Sequence, residues 1–287
     1  MNNILIIGSN GQLGTDLTKE FENKSGIEVL TLNHSQIELK HKDSVLESIT
    51  RLSPDIVINC GAYVKVDECE DNAAHAIEVN ALGAGYVADA TEKVGAVCVY
   101  ISTDYVFDGN KHTPYIENDA AYPINIYGVS KLSGEHMVRS YSSKHYIVRS
   151  SGLYGLAVSS GKGGNFAETI IALANQGKHL KVVQDQILTP TFTKDLSAAI
   201  SELIGNADYG TYHITNSGEC SWFSFAKAIL NIAGLKNELT PTTTIEYSAK
   251  AKRPAYSVLS NEKAIKVGMT ALRKWEEALE NYMSLRT

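Results

Sequence analysis

Apolar residues in this chain fall into two alternating rhythms. "ILII", from Ile4 to Ile7, is a short unbroken apolar run, too short for a helix and right for a strand buried on both faces. Immediately after it, Leu13, Leu17 and Phe21 recur four residues apart, which puts them on one helical face. The same exchange continues along the chain. "EVLTL" (28–32) reads as a second strand, and Asp43–Leu52 as a helix stopped by Pro54. "DIVINCGA" (55–62) reads as a third strand, residues 72–94 as a helix, and "AVCVYIST" (96–103) as a fourth strand. Tyr127–Tyr141 reads as a helix and "HYIVRSS" (145–151) as a fifth strand. Strand–helix alternation of this kind predicts an α/β fold with a doubly wound, Rossmann-like parallel sheet.

Beyond residue 151 the rhythm weakens. "YGLAVSSGKGGNF" reads as a long Gly/Ser-rich loop, followed by a helix at Phe166–Gln176, a strand at "KVV", the segment "QILTPTFT", a helix at Lys194–Ile204 and "GTYHIT". A polar stretch, "ELTPTTTIEYSAKAKRP", leads to an amphipathic helix near Leu272–Met283. The pattern predicts a dinucleotide-binding domain over residues 1–151 and a smaller α+β substrate lobe over 152–287, some of whose elements rejoin the first sheet.

In a doubly wound sheet, ligands bind beyond the carboxyl ends of the strands. The first such end carries Gly8, Gly11 and Gly14. Gly8 would permit the sharp turn, Gly11 a close approach of backbone to a pyrophosphate, and Gly14 tight packing of helix on strand. The helix N-terminus then offers unpaired N–H groups to the phosphates. GxxGxxG alone also fits a turn without a ligand. The fourth strand ends in Ser102 and Thr103, and Tyr127 and Lys131 in "YGVSK" share a helix face. A nearby ammonium favours the phenolate and eases proton exchange. With fifteen tyrosines in the chain, one YxxxK by chance is also expected.

Composition narrows the field. The 287 residues carry a net charge of −6, against the basic patch of a nucleic-acid binder. No apolar run approaches the ~18 residues of a membrane span, and the N-terminus lacks a signal-peptide pattern. Cys60, Cys69, Cys98 and Cys220 form no CxxC pair, and the eight histidines have no ligand spacing. Both point to a reducing cytoplasm and no zinc site.

The combination of GxxGxxG with "NCGAY", "VNALG", "STDYVFDG", "YGVSK" and "RPAYSVL" resembles the extended short-chain dehydrogenase/reductases. Within them it most resembles the dTDP-4-dehydrorhamnose reductases, nearly end to end. That resemblance implies NADPH or NADH as cofactor, a nucleotide-sugar substrate, and room for a homodimer. It implies that Tyr127 donates a proton, that Lys131 lowers the Tyr127 pKa and holds the nicotinamide ribose, and that Thr103 polarises a carbonyl. Asp104 and Gly152 are implied beside the substrate. Gly8, Gly11, Gln12 and Leu13 are implied at the pyrophosphate, Glu38 and Leu39 at the adenine, and Ala62, Tyr63, Val64 and Ile101 along the nicotinamide half. The implied reaction reduces the C4 ketone of dTDP-4-dehydro-β-L-rhamnose to dTDP-L-rhamnose.

The chain departs from the family pattern in places. Gly152 stands where an aromatic Trp is usual, leaving a space for Tyr154 or the C-terminal lobe to close. Val64 stands where Thr is frequent, and Asn33 ends the second strand in place of an acid. Some relatives bind magnesium between subunits. Asp16 matches one such position but Lys194 replaces another, so no metal is expected. Two further readings stay open: a reductase or epimerase of another nucleotide sugar, and a non-catalytic NADP-binding regulatory subunit.

Overall fold

The computed structural model describes residues 3–157 and 164–286. Residues 158–163 of the expected Gly/Ser-rich loop lie outside them. The N-terminal elements follow the predicted order. They are β1 (Asn3–Ile7), α1 (Gln12–Glu22), β2 (Glu28–Leu32), α2 (Lys42–Leu52), β3 (Ile56–Asn59), α3 (Val66–Asp71), α4 (Ala73–Ile77), α5 (Gly83–Lys93), β4 (Val97–Thr103), α6 (Ile126–Tyr141) and β5 (His145–Ser150). Their strands form one parallel sheet in the order β2–β1–β3–β4–β5, with a sixth strand against β5.

That sixth strand comes from the second half of the chain, which runs β6 (Leu153–Tyr154), α7 (Phe166–Asn175), β7 (Leu180–Val183), β8 (Ile187–Leu188), β9 (Thr191–Phe192), α8 (Thr193–Asn206) and β10 (Gly210–His213). Strand β10 pairs in parallel with β5, so the predicted return to the sheet occurs at "GTYH". The chain finishes with β11 (Cys220–Ser221), α9 (Trp222–Ile232), β12 (Leu239–Thr242), α10 (Thr244–Tyr247), α11 (Glu262–Lys266) and α12 (Trp275–Leu285).

Helices cover both faces of the sheet. Leu13, Leu17 and Phe21 of α1 and Leu196, Ile200 and Leu203 of α8 pack on Ile4, Ile6, Ile58 and Val99. On the other face, Val45 and Ile49 of α2, Val87 and Ala88 of α5 and Val138 of α6 pack on Leu5, Ile7, Val57 and Cys98. This is why "ILII" is apolar throughout: successive side chains enter opposite cores, each contributing roughly 1.5–3 kcal/mol. A separate core joins α7, α9 and α12 through Ile170, Phe225, Ile229 and Leu279.

Three segments depart from expectation. Residues 72–94 are not one α-helix: α4 passes through a π-helical turn, Glu78–Leu82, before α5. The wider turn carries Asn80, which accepts from the Tyr63 N–H (2.8 Å) and donates to the Tyr63 carbonyl (2.9 Å) and Ser130 Oγ (2.9 Å). Part of the polar stretch, given no element from the sequence, is a strand, because β12 pairs in parallel with β7. Helix α9 was not anticipated, although Trp222, Phe225, Ala226, Ile229 and Leu230 have helical spacing.

A buried charged seam ties β5, β10 and α6 together. Glu135 accepts from Arg149 Nε (2.8 Å) and Nη2 (2.7 Å), and Arg149 faces His213 Nε2 at 3.4 Å. Burial, with the Arg149 charge beside it, pushes the His213 imidazole down to about 3. An unfolded histidine titrates near ~6.5, so below that pH the unfolded chain binds a proton that the folded one refuses. Stability is therefore lost as pH falls from about 6.5 toward 3. In urea unfolding between pH 6.5 and 5, wild type should lose up to about 1.4 kcal/mol per pH unit more than His213→Gln. Equal slopes would show that His213 is not the proton-refusing group.

Candidate active site

A cleft of about 1050 Å³ runs along the carboxyl ends of the strands. At one end is the glycine turn. Gly8 has φ +78° and its N–H donates to the Leu32 carbonyl at 2.8 Å. A Cβ on Gly14 would stand 2.2 Å from the Gly8 carbonyl oxygen, whereas one on Gly11 would meet only that oxygen, at 3.2 Å. The tightest constraint is thus the seat of α1 on the turn. Gln12 and Leu13 line the cleft beside it. Buried Gln12 Nε2 has no hydrogen-bond partner, which leaves a donor for an incoming acceptor.

Beyond β2 the cleft is lined by Asn33, Glu38 and Leu39. The Asn33 side chain accepts from the Ser35 N–H (2.9 Å) and hydroxyl (2.6 Å), so it also builds its own turn. Leu39 is buried and crowds Gly61, where a Cβ would meet Leu39 Cδ1 at 2.6 Å. After β3 come Ala62, Tyr63 and Val64, with Tyr63 pinned by Asn80. A dinucleotide fits this lining: a glycine cradle that a Cβ would fill, an unpartnered amide beside it, and a groove continuing past β2 and β3.

The far end holds Ile101, Thr103, Asp104, Tyr127 and Lys131. All fifteen positions expected at the cofactor and substrate line this one cleft. Asn125 caps α6 by accepting from the Gly128 N–H (2.7 Å), which fixes Tyr127 in the first turn. A Cβ at Gly128 would lie 2.1 Å from the Tyr105 carbonyl, so bare backbone brings α6 against the end of β4. The Tyr127 phenol and the Thr103 hydroxyl stand in hydrogen-bonding reach.

Burial, and then the Asp104 charge, hold the Tyr127 phenol well above the usual tyrosine value. Burial pushes the Lys131 ammonium down to about 7. The phenol therefore keeps its proton, as an acid should.

Asp104 and Gly152 line the cleft as expected, and each carries a further constraint. Asp104 accepts from Thr103 Oγ1 (3.0 Å), Ser151 Oγ (2.9 Å) and Ser257 Oγ (2.6 Å), so it anchors Thr103 as well as lining the cleft. Burial pushes its carboxyl up, opposed by those three hydroxyls. Of the two expected ways to close the space beside Gly152, the structure has the second. Gly152 has φ +54°, and a Cβ there would meet Leu188 Cδ1 at 2.8 Å and Pro190 Cα at 3.2 Å, both from the C-terminal part of the chain. Tyr154 does not close it; it is buried against Phe192, ring on ring at 5.6 Å. Leu188, Phe166 and Trp222 form the wall of the cleft on this side.

Ser150 was also missed: it is buried, lines the cleft and has no partner for its hydroxyl. Its signal was its register opposite Thr103, visible only once β4 and β5 are paired. Asp16 accepts from the Thr193 hydroxyl at 2.5 Å. Among the described residues, no group of three or more His, Cys, Asp or Glu side chains is placed to hold a metal ion.

Comparison with known proteins places this geometry in context. A family described as "RmlD substrate binding domain" matches residues 1–286. The spore coat polysaccharide biosynthesis protein SpsK of Bacillus subtilis is 41% identical, over 100% of this chain and 99% of its own length. The dTDP-4-dehydrorhamnose reductase of Mycolicibacterium smegmatis is 37% identical, over 97% of this chain and 84% of its own. The crystal structure of dTDP-4-dehydrorhamnose reductase from Bacillus anthracis, in complex with NADP, superposes with a TM-score of 0.94 at 40% identity, covering 99% of this chain and 100% of that one.

Proposed function

Since this chain belongs to the RmlD substrate binding domain family over its whole length, we propose that it is an NAD(P)H-dependent dTDP-4-dehydrorhamnose reductase. It reduces the C4 ketone of dTDP-4-dehydro-β-L-rhamnose to dTDP-L-rhamnose. The observation that carries this reading is the meeting of Thr103, Tyr127 and Lys131 with the glycine turn in one cleft.

Gly8, Gly11, Gln12 and Leu13 would hold the pyrophosphate at the N-terminus of α1. Glu38 and Leu39 would flank the adenine, and Ala62, Tyr63, Val64 and Ile101 the nicotinamide half. When bound, the dinucleotide supplies the hydride. Tyr127 gives its proton to the ketone oxygen, and Lys131 stabilises the phenolate left behind. Thr103 turns its hydroxyl from Asp104 to that same oxygen, while Ser151 and Ser257 keep the carboxylate satisfied. The lobe beyond residue 151 closes the sugar side through Leu188 and Trp222. Asn33 places no negative charge at the end of β2, so either NADPH or NADH is accepted. Four free cysteines suit a reducing cytoplasm, and a homodimer is part of the same reading.

A panel of 4-keto nucleotide sugars, followed by NADPH and NADH absorbance, tests the proposal. Turnover should be fastest with dTDP-4-dehydrorhamnose. A clear preference for a larger 4-keto sugar would assign another nucleotide sugar. Cofactor binding without reduction of any would make the chain a regulatory subunit.

A further inference from the structure

Lys131 and Glu135 lie one turn apart on α6, 2% and 0% exposed. The Lys131 ammonium sits 4.0 Å over the centre of the Tyr100 ring. The groups facing it are Glu135 on α6, Tyr100 on β4 and Cys60 after β3, with Tyr127 one turn earlier on the same helix. Both phenols keep their protons, and burial pushes the Cys60 thiol up to about 12. Glu135 is thus the one of these groups that is anionic near neutral pH, and its charge opposes the burial that drives Lys131 down.

Glu135 is in turn divided among cations. Besides Arg149, it accepts from Ser102 Oγ (2.6 Å) and from Arg139 Nη2 (2.9 Å). Arg149 is buried on β5 with His213 behind it. Arg139 is different: its side chain is 34% exposed, and its other contact is the Thr211 hydroxyl at 3.0 Å. It can be removed without opening the core.

We propose that Glu135 is a positioning residue that keeps Lys131 in its ammonium form, and that Arg139 moderates how strongly it does so. The first half rests on the role given to Lys131 above, holding the nicotinamide ribose and supporting the phenolate. The mechanism is through-space and has a sign. Removing the Glu135 charge weakens the field that protonates Lys131. Removing Arg139 strengthens the field.

The test is the alkaline limb of two profiles: kcat/KM for the 4-keto sugar, and NADH affinity by fluorescence. NADH carries no group titrating near neutrality. In Glu135→Gln both limbs should move about one pH unit toward acid, the order expected for one charge a helical turn away. In Arg139→Gln they should move a few tenths of a unit toward alkali, since the lost charge is partly exposed and screened. Opposite shifts are not produced by loosened packing. Unmoved limbs, or shifts in the same direction, would overturn the proposal. If Glu135→Gln does not fold, the alkaline shift in Arg139→Gln decides alone. A wild-type protein that reduces no 4-keto sugar would sink the functional reading, while the NADH arm would still report on Glu135.

Discussion

Replacing Tyr127 with phenylalanine is expected to lower kcat by ~10²–10⁴-fold, the usual worth of a positioned proton donor. The site loses one oxygen and little else. The ring meets Tyr105 edge-on, with centroids 6.0 Å apart, a contact that phenylalanine keeps. Asn125 still caps α6, so Lys131 stays in place. NADPH affinity should therefore hold within a few-fold while turnover collapses. Without the phenol, the ketone oxygen would gain negative charge beside Asp104, in a buried setting where that charge is costly. Steady-state kinetics with parallel fluorescence titration separates the two quantities. Wild-type turnover in this variant would remove Tyr127 from the mechanism. Equal losses in affinity and turnover would mean that the hydroxyl shapes the cofactor site instead.

The second large effect belongs to a single methyl group. Gly14→Ala would place a Cβ 2.2 Å from the Gly8 carbonyl oxygen and 2.8 Å from Ser9 Cα, both backbone atoms with no rotamer to yield. Helix α1 must lift from the turn, and the N–H groups that would meet the pyrophosphate move with it. Overpacking of this kind costs about 1–3 kcal/mol, so NADPH binding should weaken by roughly tenfold to a hundredfold. Gly11→Ala meets only one oxygen, at 3.2 Å, and should do much less. Fluorescence titration of the two variants gives the order directly. A larger loss at Gly11 would show that close approach to the phosphates, and not the seat of the helix, governs this turn.

These contrasts show what was legible in the chain. The strands were readable because both faces of the sheet are covered, which forces unbroken apolar runs such as "ILII" and "VCVY". The positions around the cleft were readable because every parallel strand must end at the same edge. Contacts between distant segments were not. Ser257 reaches Asp104 across 153 positions, and no local pattern marks it. The π turn at Asn80 adds one residue to a helix whose apolar spacing is otherwise ordinary. Gly152 left open whether Tyr154 or the C-terminal lobe closes the space beside it, because the sequence does not show Leu188 folding back over it. The proximity of Lys131 to Tyr127 was visible in the spacing, whereas the burial that raises the phenol was not.

The return of β10 to the main sheet has a consequence for how the protein is made. Strand β5 is complete at Ser150, but its outer edge is paired only when Gly210–His213 arrives. A ribosome must add some sixty residues between the two, counting from Ser150 to Gly210. Throughout that interval the nascent chain carries an open strand, Tyr146–Arg149, with Tyr146, Ile147 and Val148 among its side chains. Such an edge is a template for pairing with another chain. The sheet is thus one strand short at residue 151, and a fragment ending there should associate through β5. The residues that precede the closing strand also carry Phe166 and Leu188 of the cleft wall, so closure of the sheet and assembly of that wall belong to the same late step of synthesis.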